Sequence, residues 1–360
     1  MFKNRPSFRF AIVATVLIAL AAITATATRS TPFAFIDSVQ EFFGMASVTT
    51  PQSTTAPLAQ TADDPSAPTA AFTPGNLVVY RAGDGSTVLS SAASAGFLDE
   101  YTPTGTYVQT IALPTTPAGA GNRALTVAGS ATSEGQIARS SDGQYITVAG
   151  YNAAPATAAI VATTNNGGGG DVNRVVGRVS SSGAVDTSTA LIGSGAASIY
   201  STGNIRSAVI AGSNVYSAGS NTPFVSYSPF GGNTAVTVSG SGNSRVVNVF
   251  GGDIYYTTST TFNKISGLPT STGTVTQLLG SVAGNAPTNA TGFYCLDVGT
   301  SGLINTCYLA DGASLKKYSI SGTTTPRGTA TITGSGSTFS GVTASVSGTT
   351  VTLSFKRREN

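Results

Sequence analysis

The chain has 360 residues, of which 9% are charged and 43 are glycine, and it contains neither histidine nor tryptophan. Its 18 basic and 15 acidic residues are scattered along the sequence, so the clustered basic surface of nucleic-acid-binding proteins is missing. Without histidine, the chain lacks the usual general base of serine and cysteine hydrolases and the commonest transition-metal ligand. We therefore expect no catalytic set, no metal site and no cofactor, and an enzyme is less favoured than a binding protein.

The first segment reads as a targeting sequence. Three basic residues precede an apolar run over residues 10–22, and the small residues Ala25 and Ala27 follow. This pattern predicts a signal peptide over residues 1–27, and therefore a secreted or cell-surface protein. The alternative is an uncleaved membrane anchor, because an apolar segment of this length lies at the lower limit for crossing a bilayer. No other contact with a membrane is expected.

Residues 28–73 are predicted to connect this segment to the folded domain. Apolar residues within 33–43 recur at i, i+3, i+4 and i+7 spacing, which predicts a short amphipathic helix. Residues 46–73 are rich in Ser, Thr, Ala and Pro. Such a stretch buries too little apolar surface to offset its ordering entropy, so we expect a linker, with the domain over residues 74–360.

The folded domain carries an internal repeat. A shift of the sequence by 39 positions superposes, without a gap, Arg206 on Arg245, Gly212 on Gly251, Val215 on Ile254, Tyr216 on Tyr255, Val236 on Val275 and Thr237 on Thr276. Four strands in about 40 residues is the size of a propeller blade. The sequence therefore predicts an all-β fold, a β-propeller of about five or six four-stranded blades. Only two strands remain for the last blade, which is either completed by amino-terminal strands or incomplete.

The hairpin that begins Ser141-Asp142-Gly143 resembles the YVTN-type and related bacterial β-propeller repeats. The layout over residues 75–355 is also similar to uncharacterised secreted propeller proteins that open with a strand like Gly-Asn-Leu-Val-Val-Tyr-Arg, here residues 75–81. The resemblance implies a fold rather than a function. One departure is an insertion over residues 153–171 that ends in four glycines, for which we expect a mobile loop.

Cys295 and Cys307 are the only thiols in the sequence. They flank a turn centred near Ser301-Gly302, so they face each other on a two-stranded hairpin. In an exported chain this arrangement predicts a structural disulfide. The alternative is a pair of buried free thiols.

Arg139, Arg206 and Arg245 are the candidate ligand-binding residues. Arg206 and Arg245 occupy equivalent places at the start of inner strands, and Arg139 lies near the matching place of the preceding unit. Because inner strands line the central channel of a propeller, the three guanidinium groups are predicted to form an axial anion site. The alternative is that each is solvated at the rim or paired with an acid of a neighbouring blade.

Several carboxylates invite other interpretations. Asp142, Asp253 and Asp311 each stand beside a glycine, which favours hairpin turns over calcium ligation. Asp99 and Glu100 are adjacent, and adjacent strand residues point to opposite faces, so they are poor partners for glycoside chemistry.

These observations rank three functions. The first is a secreted or surface-exposed propeller that acts as a binding scaffold for an unknown extracellular protein or glycan. The second is an extracellular enzyme, of lyase or hydrolase type, with an axial Arg/Asp/Tyr site. The third is a β-solenoid adhesin, whose coils repeat every 20 to 30 residues rather than about every 40.

Overall fold

The computed structural model describes residues 35–42, 45–49, 71–193, 198–280, 286–299, 302–320, 325–331 and 338–358, and within 35–49, 325–331 and 357–358 it describes the backbone alone. The predicted signal peptide and most of the predicted linker lie outside these residues. In chain order the strands are β1 (Phe35–Phe42), β2 (Met45–Thr49), β3 (Leu77–Ala82), β4 (Ala93–Tyr101), β5 (Tyr107–Ala112), β6 (Thr126–Ala128), β7 (Ala138–Arg139), β8 (Tyr145–Tyr151), β9 (Arg174–Ser180), β10 (Val185–Ala190), β11 (Ile205–Ala211), β12 (Asn214–Gly219), β13 (Val225–Pro229), β14 (Val236–Ser239), β15 (Val247–Phe250), β16 (Asp253–Thr257), β17 (Phe262–Ile265), β18 (Val275–Leu279), β19 (Ala290–Leu296), β20 (Thr306–Asp311), β21 (Ser314–Ser319), β22 (Thr325–Thr331), β23 (Thr338–Ser347) and β24 (Thr350–Arg358).

Successive strands form four-stranded antiparallel sheets, which are the blades of an all-β propeller. Strands β11–β14, β15–β18 and β19–β22 each pair in sequence order within one sheet. Strands β7–β10 pair in the same way. Such a sheet has two faces to bury and needs a neighbouring sheet against each of them. The predicted fold class is confirmed by this arrangement.

The 39-residue repeat coincides with sheets β11–β14 and β15–β18. The hairpins that join their first two strands turn at Gly212 and Gly251, whose φ angles of 61° and 58° are nearly the same. Glycine suits both turns because a side chain is strained at these angles. Val215 and Ile254 follow these turns, and both are fully buried. Equivalent residues thus make equivalent backbone turns and core contacts.

The core lies between neighbouring sheets. Val209 and Tyr216 of sheet β11–β14 pack in one apolar cluster with Val247 and Ile254 of sheet β15–β18. Each fully buried side chain of this kind stabilises the fold by about 1.5–3 kcal/mol relative to an exposed one. A sheet without its neighbour would lose this contribution along one whole face.

The last sheet is assembled from the two ends of the sequence. Its strand order is β2-β1-β24-β23, and β1 pairs with β24 from Phe35 opposite Arg357 to Glu41 opposite Val351. The amino-terminal strands therefore complete the final blade. The helix predicted over residues 33–43 is wrong for Phe35–Phe42, and Met45–Thr49 is also a strand. Backbone pairing with a strand from the far end of the sequence decides the conformation here, and local apolar spacing cannot register such pairing.

Strands β3, β4 and β5 form an additional layer at the start of the domain. Strand β4 pairs with β3 and β5, and its first residues pair with β6, which also meets β8 at Thr126 and Tyr151. Tyr80 and Leu98 of this layer share an apolar cluster with Val148 of sheet β7–β10. The layer is thus packed on the first blade.

The insertion over residues 153–171 packs against the fold through Ile160 and Asn165, whereas residues 166–170, which include the four glycines, are exposed. The mobility of this glycine stretch stays a prediction. The insertion contains a single 3-10 turn, Ile160–Ala162, with Ile160 fully buried. Asn165 is buried as well, and its Nδ2 donates to the carbonyl oxygens of Leu191 and Ile199, at 2.7 Å each. These buried hydrogen bonds hold the segment against the chain that follows it.

The predicted disulfide is confirmed. Cys295 on β19 and Cys307 on β20 are directly opposite partners, with their Cα atoms 4.1 Å apart and a disulfide between them. Both are buried. Among the described residues, no helix has the length and apolar character to span a membrane.

Candidate functional site

The first strands of three successive sheets run side by side. Gln136, just before β7, forms a parallel bridge with Ser207 of β11, and its backbone N–H donates to Arg206 O at 3.2 Å. The backbone N–H of Val247, the first residue of β15, donates to Ser207 Oγ at 2.9 Å. The residues that precede or open these three strands are therefore brought to one surface, which we call the strand-entry surface: Ser133, Glu134, Asn204, Arg206, Asn243 and Arg245.

Arg206 is held rigidly within this surface. Its Nε donates to Ser133 Oγ at 2.9 Å, and its Nη1 donates to Ser244 O at 2.6 Å and to Asn243 Oδ1. The residue is only 6% exposed. Burial, together with the nearby positive charge of Arg245, lowers the pKa of Arg206 to about 10. The protein therefore holds a desolvated cation here with no carboxylate in direct contact among the described residues.

Arg245 follows Asn243 and Ser244, the two residues to which Arg206 Nη1 donates. Its backbone N–H donates to Thr257 O at 2.7 Å, but its buried Nε has no hydrogen-bond partner. Within the part of the chain that the structure describes, no acceptor contacts the rest of its guanidinium group. The side chain is partly exposed. It is a cation beside a second cation, and among the described residues its guanidinium group has no acceptor.

Arg139 is placed differently from the other two predicted residues. Gln136, not Arg139, lies beside Arg206, and Arg139 comes three residues further along its strand. Arg139 is exposed, and its Nε donates to Gly143 O at 3.0 Å within its own hairpin. The structure thus brings Arg206 and Arg245 together without Arg139, and the binding of an anion by these residues stays a prediction.

Glu134 is a site residue that the sequence reasoning missed. Its carboxylate accepts hydrogen bonds from Tyr151 Oη at 2.6 Å, Asn204 Nδ2 at 2.5 Å and the Ala128 backbone N–H at 2.9 Å. Burial nevertheless raises the pKa of Glu134 above its ordinary value, against the opposing effect of these three donors. A buried carboxyl group with a raised pKa is a candidate functional group. The sequence offered one signal for this residue: glutamate is rare in it, and Glu134 is one of only four glutamates in 360 residues.

Arg174 packs on Tyr151, the residue whose hydroxyl donates to Glu134. Its guanidinium group lies 5.0 Å above the ring of Tyr151, and it donates to the carbonyl oxygens of Thr163, Val172 and Gly203 at 2.8 to 3.0 Å. The side chain is fully buried, and burial lowers the pKa of Arg174. Burial also holds the pKa of Tyr151 well above its ordinary value, with a further contribution from Glu134. Tyr151 therefore remains a protonated donor to the carboxylate.

Two asparagines were also missed, although the repeat contained their signal. Gly-Asn-x-Arg occurs at residues 203–206 and again at 242–245, at the same 39-residue offset. Asn204 orients Glu134, and Asn243 orients Arg206. The motif places an amide two positions before each arginine, where it reaches the neighbouring blade.

The remaining carboxylates have structural roles. Asp142 accepts from Ser140 Oγ and from the Gln144 N–H inside its turn, and Asp253 and Asp311 pair with lysines of the adjacent strand. Asp99 pairs with Arg81, whereas Glu100 accepts from Thr73, Asn76 and Gln109. In the described ranges, no three His, Cys, Asp or Glu residues are grouped as metal ligands.

No protein-family model and no curated protein matches the chain. Among solved structures, the chain is similar to BamB from Moraxella catarrhalis, with a TM-score of 0.33 and 10% identity over 79% of this chain and 95% of that one. It is also similar to the computationally designed Ika8 protein, with a TM-score of 0.36 and 9% identity over 76% of this chain and 95% of that one. Both likenesses are too distant to carry an argument about function, and the resemblance to YVTN-type repeats stays an expectation.

Proposed function

We propose that this protein is an exported β-propeller that acts as a binding scaffold for an extracellular protein or glycan, with the strand-entry surface as its contact site. The observation that carries the proposal is Arg245, which lies next to Arg206 and has a partly exposed side chain, an Nε atom without a hydrogen-bond partner and no acceptor for its Nη atoms among the described residues. An arginine that served only to stabilise the fold would direct its donors to protein acceptors, as Arg206 does. Export is supported by the disulfide and by the amino-terminal sequence pattern, and attachment to a membrane would occur only through an uncleaved residue 1–27 segment.

A binding screen tests this proposal. The full chain is applied to a glycan array and used to capture extracellular proteins, in parallel with Arg245→Gln and Arg139→Gln variants. We expect a retained ligand whose binding is lost with Arg245→Gln and preserved with Arg139→Gln, because the second change removes the same charge from a neighbouring first strand. Retention of no ligand, or equal binding by all three proteins, would contradict the proposal.

One observation favours an enzyme as the second candidate. Glu134 combines a raised pKa with a 2.6 Å hydrogen bond from Tyr151, which suits a carboxyl group that gives or takes a proton. The test is turnover of polysaccharide and lactone substrates by the full chain and by Glu134→Gln. Turnover that Glu134→Gln abolishes would establish this alternative. The solenoid adhesin is wrong, because the strands form separate four-stranded antiparallel sheets.

A further inference from the structure

The charges of the strand-entry surface do not balance. Arg206 and Arg245 lie close enough for Arg245 to lower the pKa of Arg206, and Glu134 is the acid that opposes this effect. Glu134 directs its oxygens to Tyr151, Asn204 and Ala128 rather than to either arginine. Two neighbouring cations face one acid, so the surface has room for one further negative charge.

Both arginines keep guanidinium donors that no described residue uses. Arg206 uses Nε and Nη1 for protein acceptors, and these contacts fix the plane of its guanidinium group. Its Nη2 has no hydrogen bond within the described residues. The guanidinium of Arg245 next to it has none either. Guanidinium groups recognise planar oxyanions through two parallel N–H bonds.

The charge of the surroundings favours a monoanion. Glu134 is near enough to stabilise the charged form of Arg206, so it also repels an incoming anion. A second negative charge on the ligand would increase that repulsion without finding another cation on this surface. A carboxylate, planar and singly charged, fits these donors better than a phosphate dianion.

We infer that Arg245, with Arg206 beside it, binds a carboxylate group of the ligand. The inference rests on the proposed function, because it names the chemistry of the ligand at the same surface. Arg206 is the fixed donor and Arg245 the adjustable one. Asn243 is a positioning residue, since it contacts Arg206 and not the ligand.

Chemical protection of Arg245 tests the inference without any mutation. The full chain reacts with phenylglyoxal, and mass spectrometry follows each arginine with time. Millimolar glucuronate is the probe, and glucose and inorganic phosphate are compared at constant ionic strength. We expect glucuronate to slow the modification of Arg245 by about tenfold, which corresponds to an occupied fraction of about nine-tenths. Glucose should have no effect, and the modification of Arg139 should not change in any arm.

The opposite results overturn the inference. If glucuronate does not protect Arg245, no carboxylate site exists there, and if phosphate protects it equally well, the choice of a carboxylate is wrong. In an Arg245→Gln variant, with folding checked by its thermal transition, glucuronate should not slow the reaction of Arg206 with phenylglyoxal. A ligand from the array that binds Arg245→Gln and the parent equally would refute the inference while the scaffold function stands. If glucuronate protects Arg245 but the array yields no ligand, the scaffold function is refuted while the carboxylate site stands.

Discussion

Sheets β11–β14 and β15–β18 share a sequence repeat and a backbone, yet their equivalent arginines differ in environment. Arg206 is buried and bonded to Ser133, Asn243 and Ser244, whereas Arg245 has an unpartnered Nε and a partly exposed side chain. The side-chain acceptor that Arg206 finds at the start of the next repeat is Asn243. A repeat thus fixes the place of a side chain, and the residues around it decide whether its donors are used within the protein or left without an acceptor.

The same substitution at the two equivalent positions gives the sharpest comparison. Arg206→Ala should lower the free energy of unfolding by about 3 kcal/mol, because it removes three hydrogen bonds of a buried cation and leaves the buried carbonyl oxygen of Ser244 without its charged donor. Arg245→Ala should change it by less than about 0.5 kcal/mol. Urea unfolding of both variants measures the difference. Equal losses would show that the two arginines have the same structural role.

Asn243→Val removes the side-chain acceptor of Arg206. The change removes one acceptor from Arg206 Nη1 but leaves the Ser244 carbonyl oxygen, so we expect a loss of about 1.5 kcal/mol in the free energy of unfolding. Reaction of Arg206 with phenylglyoxal should become faster at the same time. Thr237→Val, on the outer strand β14 of the same sheet, is the control and should alter neither quantity. A stable variant with an unreactive Arg206 would contradict this account.

The turns of the two repeats should differ slightly in their sensitivity to alanine, although the φ angles of Gly212 and Gly251 agree. Gly212→Ala should cost about 1 kcal/mol, the strain of a side chain in the left-handed region. Gly251→Ala should cost more, because its new Cβ atom would lie 3.0 Å from Ile304 Cγ1, whereas nothing lies within 4 Å at Gly212. Thermal unfolding of the two variants compares them. Equal losses would show that backbone strain alone governs these turns, and a larger loss at Gly212 would contradict this account.

The smallest expected effect is the pH dependence of the free energy of unfolding. It reports on Glu134, which accepts a hydrogen bond from Asn204 of the first repeat. Burial raises the pKa of Glu134 in the folded protein above 4.5, the ordinary pKa of a glutamate. Above pH 4.5 the native state therefore holds more protons than the unfolded chain. Stability should therefore fall as pH rises through this range, modestly, since Tyr151 and Asn204 donate to the carboxylate and Arg174 and Arg206 lie near it.

Glu134→Gln should flatten this slope of unfolding free energy against pH. Asp142, Asp171 and Asp253 have lowered pKa values in the folded protein, so their opposing contribution arises at lower pH, below the ordinary carboxyl value. Denaturant titrations between pH 5 and pH 8 isolate Glu134. An unchanged slope in the variant would mean that this carboxyl group stays ionised throughout.

Features set by neighbouring residues could be predicted from the sequence. A few adjacent positions decide the glycine turns, the strand pattern and the pairing of Cys295 with Cys307. The 39-residue repeat then showed that such strands recur as four-stranded sheets. Features set by distant contacts could not. The pairing of β1 with β24, the displacement of Arg139 from the level of Arg206 and the burial of Glu134 depend on how separate sheets meet.

The composite last sheet has a consequence for the order of folding. Strands β1 and β2 can pair with each other as soon as they are synthesised, but β24, the second partner of β1, is made long after them. One edge of β1 therefore stays unpaired while the sheets between them in the sequence can already form. Contacts between such distant positions form slowly, because closing so long a loop costs entropy before any contact rewards it. We expect this sheet to assemble last, and the protein to be most vulnerable to proteases and to aggregation through an open strand edge until it does.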